Sequence, residues 1–514
     1  MALTSRRAFL KQLGFGCAAL TTSGSLPLTQ TPVKPRNILF ILADDLGWGD
    51  VSCYGTTPGL TPFLDEYATR GVQFTDAHAP ASTCTPTRYA IFTGCYAWRK
   101  PGTGIAQGDA ALLIDPTLET LPKLMQRSGM VTGAVGKWHL GMGEGPGKTD
   151  WNKPISPSAN AIGFDYTFLM AATADRTPCV YVENGCVVNH DPADPIEVNY
   201  QHNYAGEPDG IRDRASLKMD WDFGHNQAVV NGIGRIGYMK GGEKARWKDE
   251  EMADIFVDKA CAFMEKNRDK PFFLYLGTND IHVPRVPHPR FVGSTPYGPR
   301  GDATRQFDDS VRRVIEKLRA LGLERDTLVV ISSDNGPVVN DGYKDEAEQK
   351  LDTHRPAAHW RGTKYTPFEG GHRVPFIVVW EGQIPKNQRS TALISLVDLG
   401  HTFAALRGVH PSTEALPDSF DVHQALLDPT APSSRTAIIS QDWHMSYREG
   451  DWKYVVPRRA GNAPNEKTKP QTGALFYLPG DPSETTNLIA RYPEKARTLH
   501  HALLNAIRAG RTRP

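Results

Sequence analysis

A chain of 514 residues, 39% hydrophobic and 22% charged, is composed like a globular enzyme and is too long for one ordinary domain. A formal charge of +1 excludes the basic stripe of a nucleic-acid binder, and no stretch approaches the roughly 18 uninterrupted apolar residues of a membrane-spanning helix. The seven cysteines include no Cys-x-x-Cys pair and no Cys/His spacing of a zinc site.

Residues 1–30 read as an export signal. Ser5-Arg6-Arg7-Ala8-Phe9-Leu10-Lys11 resembles the twin-arginine motif, and the apolar run after it, from Leu13 to Leu20, is too short and too rich in Gly and Ala to anchor stably. The twin-arginine export machinery is the implied partner, and the implied destination is periplasmic or secreted. Short apolar runs at residues 37–43, 131–135, 272–276, 328–331 and 376–380 predict buried parallel strands. Helical spacing predicts helices over 117–128, 249–267 and 303–321. The alternation specifies an α/β fold: a large, mostly parallel sheet sandwiched by helices.

Residues 148–248 are rich in Gly, Pro and polar residues, with weak periodicity, and read as long loops that build a binding surface. Within them Cys179 and Cys186 flank a hairpin-like Val-Tyr-Val-Glu-Asn-Gly; a disulfide and two free thiols are equally compatible with that spacing. Beyond about Asp428 the pattern changes. Short antiparallel strands are expected at 436–440, 452–456 and 475–478, with a closing amphipathic helix over 492–509. The expected division is a leader (1–30), a catalytic domain (31–428) and a smaller α+β subdomain with an antiparallel sheet (429–514).

The residues just after the predicted strands carry the chemistry. Asp44 and Asp45 follow the first, Gly136-Lys137-Trp138-His139 the second, Asn279-Asp280-Ile281-His282 the third, and Ser333-Asp334-Asn335-Gly336 the fourth. In open α/β sheets, ligands bind beyond the carboxyl ends of the strands, so these groups converge on one edge. Taken singly, each acid would serve as a helix cap or turn residue, each lysine as a solvated surface group, and His282 as a structural histidine. Together, Asp44, Asp45, Asp334 and Asn335 form an all-oxygen set that suits a hard divalent cation, calcium more readily than magnesium where water is mostly excluded. Clustered carboxylates repel one another unless a cation neutralises them.

Cys84-Thr85-Pro86-Thr87-Arg88, followed by Thr93-Gly94, resembles the Cys-x-Pro-x-Arg signature of the type I, formylglycine-dependent sulfatases of the alkaline phosphatase superfamily. Residues 129–141 look like the second signature of that family. Arg361-Gly362-Thr363-Lys364 and Phe368-Glu369-Gly370-Gly371-His372-Arg373-Val374-Pro375 match in order, and the likeness runs from about Asn37 to Asp481-Pro482. It implies an arylsulfatase-like sulfuric ester hydrolase with an alkaline-phosphatase-like fold. Cys84 would be oxidised to formylglycine by a formylglycine-generating or sulfatase-maturating enzyme, and the hydrated aldehyde would attack sulfur. Ca2+ would be bound by Asp44, Asp45, Asp334, Asn335 and residue 84. Arg88 would hold the diol, and Lys137 and Lys364 would steady the sulfuryl charge. His139 would act as base and His282 as acid toward the leaving alcohol. The implied substrate is a sulfated small molecule or glycan; export and the long 148–248 segment favour a sulfated carbohydrate. Two positions depart from the pattern: Cys95 stands where Arg is usual after Thr-Gly, and Thr363 stands in the usual Gly-Gly-Lys. The competing readings are a phosphodiester or phosphonate monoester hydrolase of the same superfamily and an inactive glycan-binding relative.

Overall fold

The computed structural model describes residues 34–55, 57–442, 444–456 and 472–514. The expected export leader, with Arg6, Arg7 and Cys17, lies outside the described residues. The unbroken apolar run after Asn37 forms strand β1 (Asn37–Ala43), buried at every position because the sheet is covered on both faces. In chain order the other strands of this sheet are β2 (Val72–Phe74), β3 (Val131–Lys137), β4 (Tyr166–Met170), β5 (Tyr181–Glu183), β6 (Cys186–Val187), β7 (Phe272–Gly277), β8 (Thr327–Ser333), β9 (Phe376–Val379) and β10 (Gln388–Ser390). Their spatial order is β10-β2-β9-β8-β1-β7-β3-β4-β5-β6. The central run from β8 to β4 is parallel throughout.

Strand β9 differs from its sequence reading: it pairs antiparallel with β8. A run buried on both faces encodes no direction, and no long crossover helix stands between β8 and β9 to make them parallel. Strand β4 was not expected, because it falls within the Gly- and Pro-rich segment, whereas β5 and β6 form the antiparallel hairpin that the residues between Cys179 and Cys186 suggest.

Helices α1 (Cys84–Thr93), α2 (Leu121–Arg127), α3 (Met252–Lys266), α4 (Gly298–Ala320) and α5 (Leu399–Arg407) accompany the sheet. Consecutive residues of β7 show that both faces are covered. Phe272 meets Phe263 of α3 at 6.0 Å between ring centroids, and Phe273 meets Phe403 of α5 at 6.2 Å; neighbours along a strand point to opposite faces. Helix α2 starts four residues later than its periodicity suggests, with Pro122 in its first turn, where a missing N–H costs nothing.

The second, smaller sheet is antiparallel: β11 (Ala437–Gln441), β12 (Met445–Glu449), β13 (Trp452–Val455) and β14 (Ala474–Tyr477). Helix α6 (Pro493–Arg508) buries Leu499 and Leu503 with Ile439, Tyr454 and Leu475 of this sheet. Cys179 is buried and Cys186 exposed, and both are free thiols. No helix among the described residues is long and apolar enough to cross a membrane.

A buried ionic network fastens the small sheet to the large one. The Lys453 ammonium of β13 lies 3.0 Å from Glu369 Oε1, 2.9 Å from Glu484 Oε1 and 3.0 Å from His372 Nε2. An ammonium only donates, so His372 Nε2 accepts, and His372 Nδ1–H donates to His78 Nδ1 at 3.0 Å. His78 Nε2–H is left for Asp76 at 2.8 Å. Arg373 grips Glu369 Oε2 at 2.9 and 2.7 Å, and Arg448 grips Asp76 at 2.6 and 2.8 Å. Three carboxylates thus face three cations. Both histidines are held below their ordinary range, His78 down to about 4, first by burial and then by the Arg373 charge. Lys453→Met removes one partner of a buried ion cluster and leaves Glu369 and Glu484 undercompensated. It is expected to destabilise the protein by about 3–5 kcal/mol in urea denaturation; a loss below about 1 kcal/mol would mean that the cluster adds no net stability.

Candidate active site

Because β8, β1, β7 and β3 are adjacent and parallel, their carboxyl ends share one edge. Asp44 and Asp45 leave β1, Lys137 ends β3, the 279–282 segment leaves β7, and Asp334 and Asn335 leave β8. At Gly136 (φ +100°) a Cβ would fall 1.9 Å from the Gly277 carbonyl oxygen, so glycine is what lets β3 deliver Lys137 alongside β7. Opposite this edge, Thr83 is extended and Cys84 is the first residue of α1. Pro86 sits in that first turn, where it is tolerated.

The ten residues given a catalytic or metal-binding role from the sequence meet here, and none exposes more than 3% of its surface. Lys137 Nζ donates to Asp44 Oδ2 at 2.5 Å, and Lys364 Nζ to Asp45 Oδ2 at 2.9 Å. Arg88 donates through Nε and Nη2 to Asp334 Oδ2 at 2.9 and 2.7 Å. Cys84 Sγ lies 3.7 Å from Asp44 Oδ1. His282 donates through Nδ1 to the Val283 carbonyl at 2.7 Å, and its Nε2 lies 3.4 Å from Lys364 Nζ and 3.8 Å from Asp45 Oδ2. His139 donates through Nε2 to the Ala106 carbonyl at 3.0 Å, which leaves a buried, unpartnered Nδ1. Asp45 (φ 60°) and His139 (φ 57°) both adopt the left-handed region, backbone strain of the sort that gathers at functional sites.

The electrostatics follow from these pairings. Burial alone would raise Asp45, but the Lys364 charge, with His282 and Lys137, holds it well below the usual carboxylate range. Asp334 is raised by burial and then by the neighbouring Asp44 charge, despite Arg88. Burial and then Lys364 push His282 down to about 4. Burial and then Lys137 push His139 well down. The Cys84 thiol is pushed far up by burial, so an unmodified thiol here stays protonated and is a poor nucleophile.

The donor set fits a divalent cation. Ligand atoms of Asp44, Asp45, Cys84 and His282 all lie within 4.8 Å of one another. Asn335 donates from Nδ2 to Asp45 Oδ1 at 2.7 Å and to the Gly336 carbonyl at 2.8 Å, while its buried Oδ1 has no partner. Such an orphaned oxygen is costly unless something accepts it as a ligand. Asp334 borders the cluster, its Oδ1 lying 3.4 Å from the Asp45 amide.

Four further groups belong to the site. Tyr275 OH lies 2.5 Å from Arg88 Nη1; it is the polar tip in the apolar run of β7, the one signal that could have marked it. Asp341 accepts from Lys364 Nζ at 2.9 Å and from Tyr365 OH at 3.1 Å. Asp175 and Arg176 follow β4 as the other site residues follow their strands, and the Arg176 guanidinium is close enough to add to the depression of His139. Reading β4 as a strand would have located this pair.

A sulfatase family model matches residues 36–409. An N-acetylgalactosamine-6-O-sulfatase of Bacteroides thetaiotaomicron is 44% identical over 481 residues, covering 92% of this chain and 93% of the relative. Human arylsulfatase A is 28% identical over 481 residues, covering 89% and 84%. A solved structure labelled 6S-sulf, from work on the metabolism of multiple glycosaminoglycans by Bacteroides thetaiotaomicron, superposes with a TM-score of 0.87 at 43% identity, covering 92% of this chain and 99% of that one.

The oxygen donors of Asp44, Asp45 and Asn335 lead to a binding prediction independent of activity. Calcium added to chelator-stripped protein should raise its melting temperature, by the equivalent of about 2.7 kcal/mol at a hundredfold excess over Kd. Asn335→Leu should abolish the rise, and zinc should not reproduce it. An equal or larger rise with zinc would show the site to be of another kind.

Proposed function

This chain belongs to the sulfatase family and is a sulfuric ester hydrolase, and on that premise we propose that it desulfates a glycan, at the 6-O-sulfate of N-acetylgalactosamine, using a nucleophile made from Cys84. The observation that carries the reading is the 44% identity, over 92% of the chain, to a sulfatase named for that sugar and position. In the same reading residues 1–30 direct export through the twin-arginine machinery to the periplasm or beyond, residues 31–428 carry the chemistry, and 429–514 form the supporting subdomain. A maturating enzyme converts Cys84 to formylglycine.

Two groups are supplied from outside the encoded chain. Calcium, which Asp44, Asp45, Asp334, Asn335 and residue 84 would hold, would supply Lewis acidity, and the hydrated aldehyde at 84 would supply one hydroxyl for attack and a second for expulsion of sulfate. The chain's own residues do the rest. Arg88, fixed by Asp334 and Tyr275, holds the oxygens of residue 84. The ammoniums of Lys137 and Lys364 stabilise charge on the transferring sulfuryl oxygens without reorganising. His139 has its Nε2 proton committed to Ala106, so it accepts a proton at Nδ1 when sulfate is released. His282 keeps Nε2 clear of the backbone; protonated there, a state that a bound sulfate anion favours, it gives that proton to the departing sugar oxygen and returns to the neutral ring.

Charge balance favours a monoanionic substrate. Asp44, Asp45, Asp334 and Asp341 outnumber Arg88, Lys137 and Lys364 by one charge. A divalent cation and a monoanionic sulfate ester bring the total to zero, whereas a phosphate monoester dianion leaves an excess. A phosphodiester is also a monoanion, so an aryl phosphodiester is the control substrate.

The test begins with the mass of the peptide containing residue 84, expected about 18 Da below that of the encoded cysteine. Matured enzyme should release sulfate from 6-sulfated N-acetylgalactosamine and leave the aryl phosphodiester largely intact. Full turnover with unmodified Cys84 would refute the mechanism. His282→Ala should cut hydrolysis of the sugar sulfate by roughly 10²–10⁴-fold and spare nitrophenyl sulfate, whose leaving group needs little protonation. Equal losses on both substrates would remove His282 from the acid role.

A further inference from the structure

Phenylalanine is ordinarily buried, yet Phe223 exposes 54% of its surface. It stands on a backbone pinned to the active site from both sides. On one side, the neighbouring Asp222 amide donates to the Gly342 carbonyl at 2.8 Å. A Cβ at Gly342 would fall 2.5 Å from the Phe223 carbonyl oxygen and 2.2 Å from His225 Nδ1, so only glycine permits this approach. Gly342 follows Asp341, the carboxylate that holds Lys364 at 2.9 Å. On the other side, the Phe223 carbonyl accepts from His225 Nδ1 at 3.1 Å, and His225 Nε2 lies 2.9 Å from Asp175 Oδ2. The His225 ring rests on Tyr343, with centroids 4.4 Å apart. An exposed apolar ring on so ordered a support binds with little further loss of conformational freedom.

The chain neighbour of Phe223, Asp222, lines a cavity of about 350 Å³, together with Asn340, Lys344, Glu346, Glu348 and Gln349, among others. This falls within the usual range of small-molecule sites, about 300–1,000 Å³. The lining is rich in carboxylate and amide groups that hydrogen-bond to hydroxyls. Its charge is negative: Asp222, Asp345, Glu346 and Glu348 line it with a single cation, Lys344, and although Asp345 is paired with Arg285 at 2.7 Å, Lys344 is itself engaged with Asp220 at 2.9 Å. A uronate or a second sulfate is repelled there, within the Debye length of about 8 Å; an uncharged sugar is not.

We propose that Phe223 and this cavity form a binding site for an uncharged sugar ring adjoining the sulfated one, with the ring of Phe223 as a stacking face and the acidic lining as a filter against charged neighbours. The inference rests on the reading of the substrate as a sulfated glycan.

The test uses full-length matured enzyme and three substrates: 6-sulfated N-acetylgalactosamine alone, the same sugar joined to galactose, and the same sugar joined to a uronate. Wild-type KM should be roughly tenfold lower for the galactose-linked substrate than for the monosaccharide, the size of effect that one aromatic anchor commonly carries, and highest for the uronate. Phe223→Ala should bring the galactose-linked and monosaccharide values together, and Phe223→Trp should keep them apart. Asp222→Asn with Glu348→Gln should narrow the gap between the uronate and the galactose. Equal wild-type KM values on all three substrates, or a preference for the uronate, would overturn the subsite while leaving the desulfation reading intact. No turnover of any of the three would overturn both.

Discussion

Three carboxylates, Asp44, Asp45 and Asp334, are held without solvent contact at one edge of a sheet, and each has its own cation: Lys137, Lys364 and Arg88 respectively. Removing one partner of such a pair leaves an uncompensated buried charge, typically at about 3–5 kcal/mol. The local geometry serves this pairing. Strand β3 has to end with Lys137 beside β7, which Gly136 allows. Helix α1 has to start at Cys84 so that Arg88, one turn later, reaches Asp334. The loop before residue 369 has to return Lys364 from a distant part of the chain.

The cations are themselves oriented from behind. Arg88 gives its remaining Nη1 hydrogens to the Lys137 carbonyl at 3.1 Å and to Tyr275 OH, so the guanidinium has no freedom to swing. Lys364 is shared between Asp45 and Asp341, and the loop carrying Asp341 is braced by Arg285, which donates to the Val338 and Val339 carbonyls and to Asp345 at 2.7 Å. Charges fixed in this way stabilise developing charge without the reorganisation that water would have to undergo. The network around Lys453 extends the same principle, tying the turn at Glu369–His372 to the small sheet.

The strand ends were legible because a buried parallel strand announces itself as an apolar run and its first polar residues mark the ligand edge. That reasoning located Asp44, Asp45, Lys137, His282 and Asp334. It failed where the strand itself was disguised. Strand β4 is Tyr-Thr-Phe-Leu-Met within a Gly- and Pro-rich stretch, so Asp175 and Arg176 beyond it went unassigned. Asp341 was illegible for another reason: its role comes from Lys364, a residue 23 positions away, and no local pattern records that pairing. The reversed direction of β9 was hidden because side-chain burial is the same in either sense.

In the proposed chemistry, two buried histidines take opposite duties according to the hydrogen bond at the far side of each ring. His139 spends its Nε2 proton on the Ala106 carbonyl and keeps a bare, buried Nδ1. His282 spends its Nδ1 proton on Val283 and turns Nε2 toward an ammonium. Burial and neighbouring cations lower both, which favours the uncharged ring. A neutral imidazole facing no donor can only take a proton. His282 has to gain a proton at Nε2 before it can give one, a change that a bound sulfate anion favours. In the proposed chemistry, the carbonyls of Ala106 and Val283, rather than any difference between the rings, therefore decide which histidine receives the proton when sulfate leaves and which supplies it to the departing alcohol.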